Sequence, residues 1–245
     1  MHVLIAAALE RRGVLAAFSE RTGGVSPDPF RSLNLGNRSG DDVARVRVNR
    51  TRVIEALGVP PFASAHQVHG THVLRIGRRR AGHGFDHGGM VHAADVLVTS
   101  RPGTPVAVLV ADCLPVVLAS DDLVVVVHAG WRGLAGGILD RAIALFPEPG
   151  AVAGAVGPAI GPCHYEVGDD VAGAVASGSP AGAVRRRKEG RVFLDLPGTA
   201  ATVLRSRGIR DVDLAEVCTA CEEDRFFSHR RDGVTGRQAA IAMRM

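Results

Sequence analysis

"PVAVLVADCLPVVLASDDLVVVVHAGWRG", residues 105 to 133, decides how this chain is read. Two apolar runs are parted only by Ser120, Asp121 and Asp122, turn-forming residues whose spacing predicts a β-hairpin. A two-residue turn at Ser120 and Asp121, or a four-residue loop from Ala119 to Asp122, sets Cys113 directly opposite His128. A turn of Asp121 and Asp122 leaves the two as diagonal neighbours on one face. A three-residue turn would send them to opposite faces. Pro115 has no N–H for a ladder, so the strand is expected to be bulged or at an edge just beyond Cys113.

A thiol beside an imidazole makes either a nucleophile with its base or two ligands for a borderline metal; the plainer alternative is a small buried cysteine beside a hydrogen-bonded histidine. The residues just after His128 add weight to a site. "AGWRG" places Arg132 at an expected helix start, where a guanidinium and free backbone N–H groups suit an anion such as phosphate. Trp131 offers a flat face for a base or sugar, or simply packs on the core. A third ligand candidate lies in "HQVHG", residues 66 to 70, with His72 close behind. On a strand His66 and His69 face opposite sides, and His69, next to the glycine, is the better placed.

Outward from the hairpin, "VLAAFS" (14–19) and "DVLVTS" (95–100) read as strands. "GDDVARVRVNRTRVIEALG" spaces its apolar residues as a helix, with Asp41 able to cap the start and Gly58 the end. Helices are also expected over 133–146, from Asp169 or Asp170 through Ser177, and in "PGTAATVLRSRG". "GRRRAGHGFDHGGMVH" (77–92) and the basic run "VRRRKEGR" (184–191) are expected to be surface loops. The expectation is a single domain over 1–245 of the α/β class, an α+β-type sandwich with a mixed central sheet covered by helices.

Composition narrows the function. The formal charge is +4, but the 29 basic residues include one lysine, Lys188, and the basic run lacks interleaved aromatics. Neither nucleic acid nor membrane is expected as a partner. Lys188 has no GxxxxGK[ST] context, so a P-loop is excluded and a Schiff-base enzyme is disfavoured. The N-terminal run has neither a basic n-region nor a small-residue cleavage site, so a cytoplasmic protein with four reduced thiols is expected.

Taken with "FSERTGGVSPDPFRSLNLGNRSGDD", "VNR", "QVHG", "ADVLVTSRPG", "GPAIGPCHYEVG" and "FFSHRRDGVTGRQAAI", the hairpin closely resembles one family: the laccase-domain proteins, first called multicopper polyphenol oxidases and later described as purine nucleoside phosphorylases. The resemblance implies that His69, Cys113 and His128 form the catalytic and metal-binding triad. It implies a zinc-associated enzyme, with Cu2+ as the alternative metal. The reactions it implies are phosphorolysis of adenosine, inosine, guanosine and S-methyl-5'-thioadenosine, with inorganic phosphate as co-substrate, and adenosine deamination. It also implies a fold similar to the cytotoxic necrotizing factor catalytic domain; a monomer or weak dimer is expected. The family often carries a tyrosine where this chain has His229. Arg132 is expected to hold the phosphate, with Arg21, Asn34 and Arg230 as further pocket candidates whose plainer role is loop-fixing.

Two other chemistries compete. Copper-dependent polyphenol oxidation needs paired histidines and, for a blue-copper site, an axial methionine; the chain has no His-x-His pair, and Met90, Met243 and Met245 have no clear link to the triad. A metal-free Cys–His hydrolase would use Cys113 as nucleophile and His128 as base. A binding module would show affinity without turnover. "CTAC" (218–221) is a lone CxxC for which a structural zinc would need two more ligands, His229 being the only close one, so a loop with two free thiols is expected; Cys163 and His164 are poorer ligand candidates because adjacent side chains on an extended chain diverge.

Overall fold

The computed structural model describes residues 2–86, 92–179 and 184–245. Its strands run in chain order β1 (Val3–Ile5), β2 (Val14–Ser19), β3 (Val73–Arg75), β4 (Val96–Thr99), β5 (Val106–Val110), β6 (Leu114–Ala119), β7 (Val124–Ala129), β8 (Ala153–Val156), β9 (Glu166–Val167), β10 (Val184–Lys188), β11 (Arg191–Asp195), β12 (Asp211–Leu214) and β13 (Gln238–Arg244). The helices are α1 (Ala7–Glu10), α2 (Val43–Leu57), α3 (Trp131–Ala135), α4 (Ile138–Ile143), α5 (Asp169–Gly178), α6 (Leu196–Ser206) and α7 (His229–Asp232).

The expected single mixed sheet becomes three. A six-stranded sheet, β12-β8-β6-β7-β4-β3, is mixed; a four-stranded sheet, β1-β2-β13-β5, and a three-stranded one, β10-β11-β9, are antiparallel. Residues of period two sort the core into layers. Val125 and Val127 of β7 pack with α4 and α6, whereas Val124 and Val126 pack with Phe18, Val108 and Ala240 of the four-stranded sheet. On the outer face of that sheet, Ala107, Ala239 and Ile241 pack with Val53 of α2 and with Phe62 and Phe85. The architecture is thus helices, six-stranded sheet, four-stranded sheet, then α2.

Because β7 is apolar on both faces, its four valines do not fix its register. His128 does. A one-residue slip would turn the imidazole from the seam between the sheets into the helix-side core, where no polar partner waits. In the observed register Pro115 pairs with His128 and Ala119 with Val124, so the turn is Asp121–Asp122, closed by Ser120 N–H donating to Leu123 O at 3.0 Å. Of the four turns weighed from the sequence, this is the one that makes Cys113 and His128 diagonal neighbours. β6 is interior and not an edge strand; Pro115 is tolerated because its open side lies where the β8 ladder ends, its carbonyl accepting from Gly157 N–H.

Other local expectations shift. Asp42, not Asp41, caps α2, accepting from Ala44 N–H, while Asp41 is bonded to Ser26 and Asn34. The 133–146 helix breaks into α3 and α4 at Gly136–Gly137, where Gly137 takes φ 74. Gly168 stands at the α5 N-cap in place of either aspartate. The basic 184–191 loop is a hairpin, turned at Glu189 and Gly190, both with positive φ. In the 77–92 stretch Phe85 is buried edge-on to Phe62 at 5.0 Å, and residues 87–91 lie outside the described ones.

Arg50 of α2 fastens that stretch. Its side chain is fully buried and donates to the carbonyls of Leu35, Gly84 and Phe85, and burial pushes its guanidinium down to about 10. Arg50→Met leaves three buried carbonyls without these donors and should cost about 3–5 kcal/mol, lowering the thermal midpoint by roughly 10 °C. A calorimetric scan checks it.

Candidate active site

The long run read from sequence as one strand is two, β5 and β6, which belong to different sheets. The chain crosses between them at Ala111, Asp112 and Cys113. Asp112 takes φ 83, a conformation costly for a residue with a Cβ, and is buried. Thr219 Oγ1 donates to its carboxylate at 2.6 Å and Arg230 N–H at 2.7 Å, which holds the strained turn. Cys113 shares the parity of Val117 and Ala119, so its thiol lies in the seam between the sheets, on the side His128 also faces.

Across the seam, the β4–β7 register extended by one residue sets Asp95 opposite His128. His128 N–H donates to Asp95 O, and Nδ1–H donates to the Asp95 carboxylate, both at 2.8 Å; the carboxyl is fully buried. That carboxylate also accepts from the backbone N–H groups of Val68, His69 and Gly70 at 2.8–3.2 Å. The three donors curl the QVHG segment round the anion and put His69 at φ 59. Its ring then meets that of His128 edge-on at 4.8 Å. Gly130 completes the fit: a Cβ there would stand 3.0 Å from His69 Cδ2 and 3.1 Å from Cys113 Sγ.

His69, Cys113 and His128 therefore gather with their ligand atoms within 4.8 Å of one another. His66 and His72 lie outside this group. With Nδ1 committed to Asp95, His128 keeps Nε2 for the site, the arrangement by which a carboxylate orients a metal-ligating or proton-transferring histidine. Burial alone would push the Cys113 thiol up, but the charges and hydrogen bonds of His128 and His69 bring it down to about 6. Burial alone would lower His128, but the thiolate and Asp95 raise it to about 9. Without metal, the pair is thiolate–imidazolium between these limits. Alkylation of Cys113 in metal-free protein, followed residue by residue by mass spectrometry, should be half-maximal near pH 6 rather than near the free-thiol value of about 8.5.

The triad lines a cavity of about 400 Å³ whose wall also includes Arg38, His66, Gln67, Leu109, His229 and Arg237. Gln67 is fixed by a two-way bond to the Leu109 backbone. His229 Nδ1–H donates to Gly233 O at 2.6 Å. Arg237 is mostly buried; burial lowers its pKa, and the negative groups of Cys113 and Asp112 act against that. Its side chain bonds the Thr235 and Gly236 carbonyls, and among the described residues it forms no ion pair.

The other expected pocket residues lie elsewhere. Arg132 is exposed and stacks on Trp131 at 4.5 Å, and Trp131 packs on the helix-side core. Arg230 covers Tyr165 at 5.1 Å and donates to Glu166 O. Arg21 bonds the Arg31 and Glu223 carbonyls beside a separate cavity. Asn34, fully buried, ties Gly36, Ser39 and Arg237 together, shaping the triad cavity's wall from behind. Asp95, Asp112 and Arg237 escape the sequence reading. Asp95 leaves one trace there, a lone carboxylate abutting the apolar run "VLVT".

Residues 15–245 match the multi-copper polyphenol oxidoreductase laccase family. The chain belongs to that family. Among its curated members, the purine nucleoside phosphorylase YlmD of Geobacillus stearothermophilus is 38% identical over 245 residues, 94% of this chain and 89% of the relative. A purine nucleoside phosphorylase of Xylella fastidiosa is 41% identical over 94% of this chain and 92% of its own length. The YlmD crystal structure superposes on this laccase-family chain with a TM-score of 0.91 at 35% identity, covering 98% of this chain and 94% of that one. Among the described residues, no helix is long and apolar enough to cross a membrane.

The laccase-family chain holds a second ligand group that sequence reading passed over. Cys163, His164, Cys218 and Cys221 also bring their ligand atoms within 4.8 Å. Adjacent residues diverge only on an extended chain, and here His164 and Tyr165 N–H groups both donate to Gly161 O, a tight turn that swings Cys163 and His164 to one side. CTAC is therefore not an isolated pair of thiols, and His229 is not its partner.

Proposed function

We propose that this chain is a purine nucleoside phosphorylase, cleaving adenosine, inosine, guanosine and S-methyl-5'-thioadenosine with inorganic phosphate, and that it deaminates adenosine at the same site. One observation carries the reading: a buried Asp95–His128 pair, completed by Cys113 and His69, opens onto a cavity of a size suited to a small ligand. The names of its relatives support the substrate class. Two nitrogens and one sulfur form a donor set that suits zinc with one position left for substrate, and a zinc ion held there would supply Lewis acidity. Arg237, a cation in the cavity wall that pairs with no carboxylate among the described residues, is the group that takes the phosphate, aided by exposed Arg38; the expected phosphate residue Arg132 lies outside that wall. His66 and His229 are the imidazoles left to hand a proton to the departing purine.

The decisive measurement is product analysis with each nucleoside, with and without phosphate. Free base and the matching sugar 1-phosphate, ribose 1-phosphate or, from S-methyl-5'-thioadenosine, its 5-methylthio analogue, should form only when phosphate is present, and inosine should form from adenosine without it. Free ribose in place of the sugar phosphate would make the enzyme a hydrolase. A metal-free Cys–His hydrolase is the second reading, favoured by the Cys113–His128–Asp95 geometry itself. Undiminished turnover in chelator-treated protein that contains no metal would establish it. Copper oxidase chemistry lacks support: no methionine lines the described cavity, and Met90 lies outside the described residues.

A further inference from the structure

We infer that Cys163, His164, Cys218 and Cys221 form a second metal site, a closed structural zinc centre separate from the triad. The separations are those of ligands around one ion. Cys163 Sγ and Cys221 Sγ are 3.5 Å apart; His164 Nδ1 lies 3.4 Å from each of them and 3.9 Å from Cys218 Sγ. A tetrahedral zinc with Zn–S near 2.3 Å and Zn–N near 2.05 Å requires about 3.8 Å between sulfurs and about 3.6 Å from sulfur to nitrogen. A disulfide would need about 2.05 Å between sulfurs.

The surrounding backbone is built for such an ion. Cys221 and Glu222 N–H groups both donate to Cys218 O, forming a knuckle that turns both CxxC thiols one way. Gly161 N–H donates to Cys218 Sγ at 3.2 Å, a bond that favours a thiolate. A Cβ on Gly161 would meet Cys218 Cβ at 3.3 Å and Cys163 Sγ at 3.4 Å, so the glycine admits the close approach of the two ligand pairs. Three thiolates and one imidazole, all used, leave no position for a substrate, the pattern of a structural centre.

The centre joins two stretches distant in sequence, the turn at 161–165 and the segment from 218. Thr219, between its two ligands in the knuckle, donates to the Asp112 carboxylate, and Thr219 N–H donates to Ala159 O. Loading the site therefore braces the strained residue that precedes Cys113.

The test uses Cys113→Ala, which removes a triad ligand and leaves this group intact. After zinc loading and dialysis, elemental analysis should find about one tightly held zinc per chain. Cobalt substituted into the same variant should give thiolate-to-metal charge-transfer absorption. Cys163 and Cys221, although exposed, should resist a thiol reagent and react ~10-fold faster or more once the metal is stripped. The Cys113→Ala/Cys163→Ser/Cys221→Ser variant should lose the zinc; should it fail to fold, the reagent comparison with and without chelator decides alone. No retained zinc in Cys113→Ala, equal labelling with and without chelator, or a Cys163–Cys221 disulfide in zinc-loaded protein would each overturn the proposal. None of these readings depends on turnover, so they are independent of the proposed reaction.

Discussion

Cys113→Ala should abolish phosphate-dependent nucleoside cleavage, with a loss in kcat/KM of ~10³-fold or more and little loss of stability. The thiol supplies the one sulfur of the triad, and no neighbour can replace it: the other three cysteines belong to the 163–221 group. Truncation removes a single half-buried atom, which should cost about 1 kcal/mol or less, so the folded protein stays available for comparison. A second readout is independent of substrate. His128 is raised partly by the Cys113 thiolate, so in the metal-free variant its imidazole, followed by NMR, should titrate below the value of about 9. Unchanged turnover in Cys113→Ala would exclude the triad as the site of the reaction.

Asp95→Asn should be nearly as damaging and also affect the fold. The carboxylate accepts four hydrogen bonds, two on each oxygen: His128 Nδ1 and His69 N–H on Oδ1, Val68 and Gly70 N–H on Oδ2. An amide has one acceptor and one donor group, so in either orientation an NH2 faces two donors. If it faces Oδ2's partners, the QVHG segment loses its anchor and His69 its position. If it faces His128, the imidazole must move its proton to Nε2, the nitrogen the site needs free. The expected result is a ~10³-fold fall in kcat, a 10- to 100-fold weaker metal affinity, and about 2–3 kcal/mol of lost stability. Calorimetry and metal titration separate these effects, and a variant with normal metal affinity and kcat would show that Asp95 serves the fold alone.

The meeting of Cys113 and His128 is legible in sequence because a hairpin's parity is set by its turn, and three of the four turns weighed keep the pair on one face. Which turn forms is not legible, since β7 is apolar on both faces and offers no alternation to choose by. For the same reason the division of 106–119 between two sheets is hidden: the break is marked only by Asp112, a residue type common in turns. Asp95 is missed because its role depends on a strand pairing between distant segments. The ligand group at 163–221 is missed because adjacent side chains diverge on an extended chain, whereas Gly161 closes a turn there. The basic run at 184–191 looks like a solvated loop because its charge masks a Glu-Gly turn signal.

β13, near the end of the chain, lies in the middle of its sheet, between β2 and β5. A ribosome therefore releases both neighbours long before the strand that joins them, and until residue 244 has emerged β2 and β5 each carry an unpaired edge. Arg237, which lines the triad cavity, immediately precedes this strand. A growing chain can thus hold Cys113 and His128 together before the wall of the triad cavity that carries Arg237 is completed by the insertion of β13.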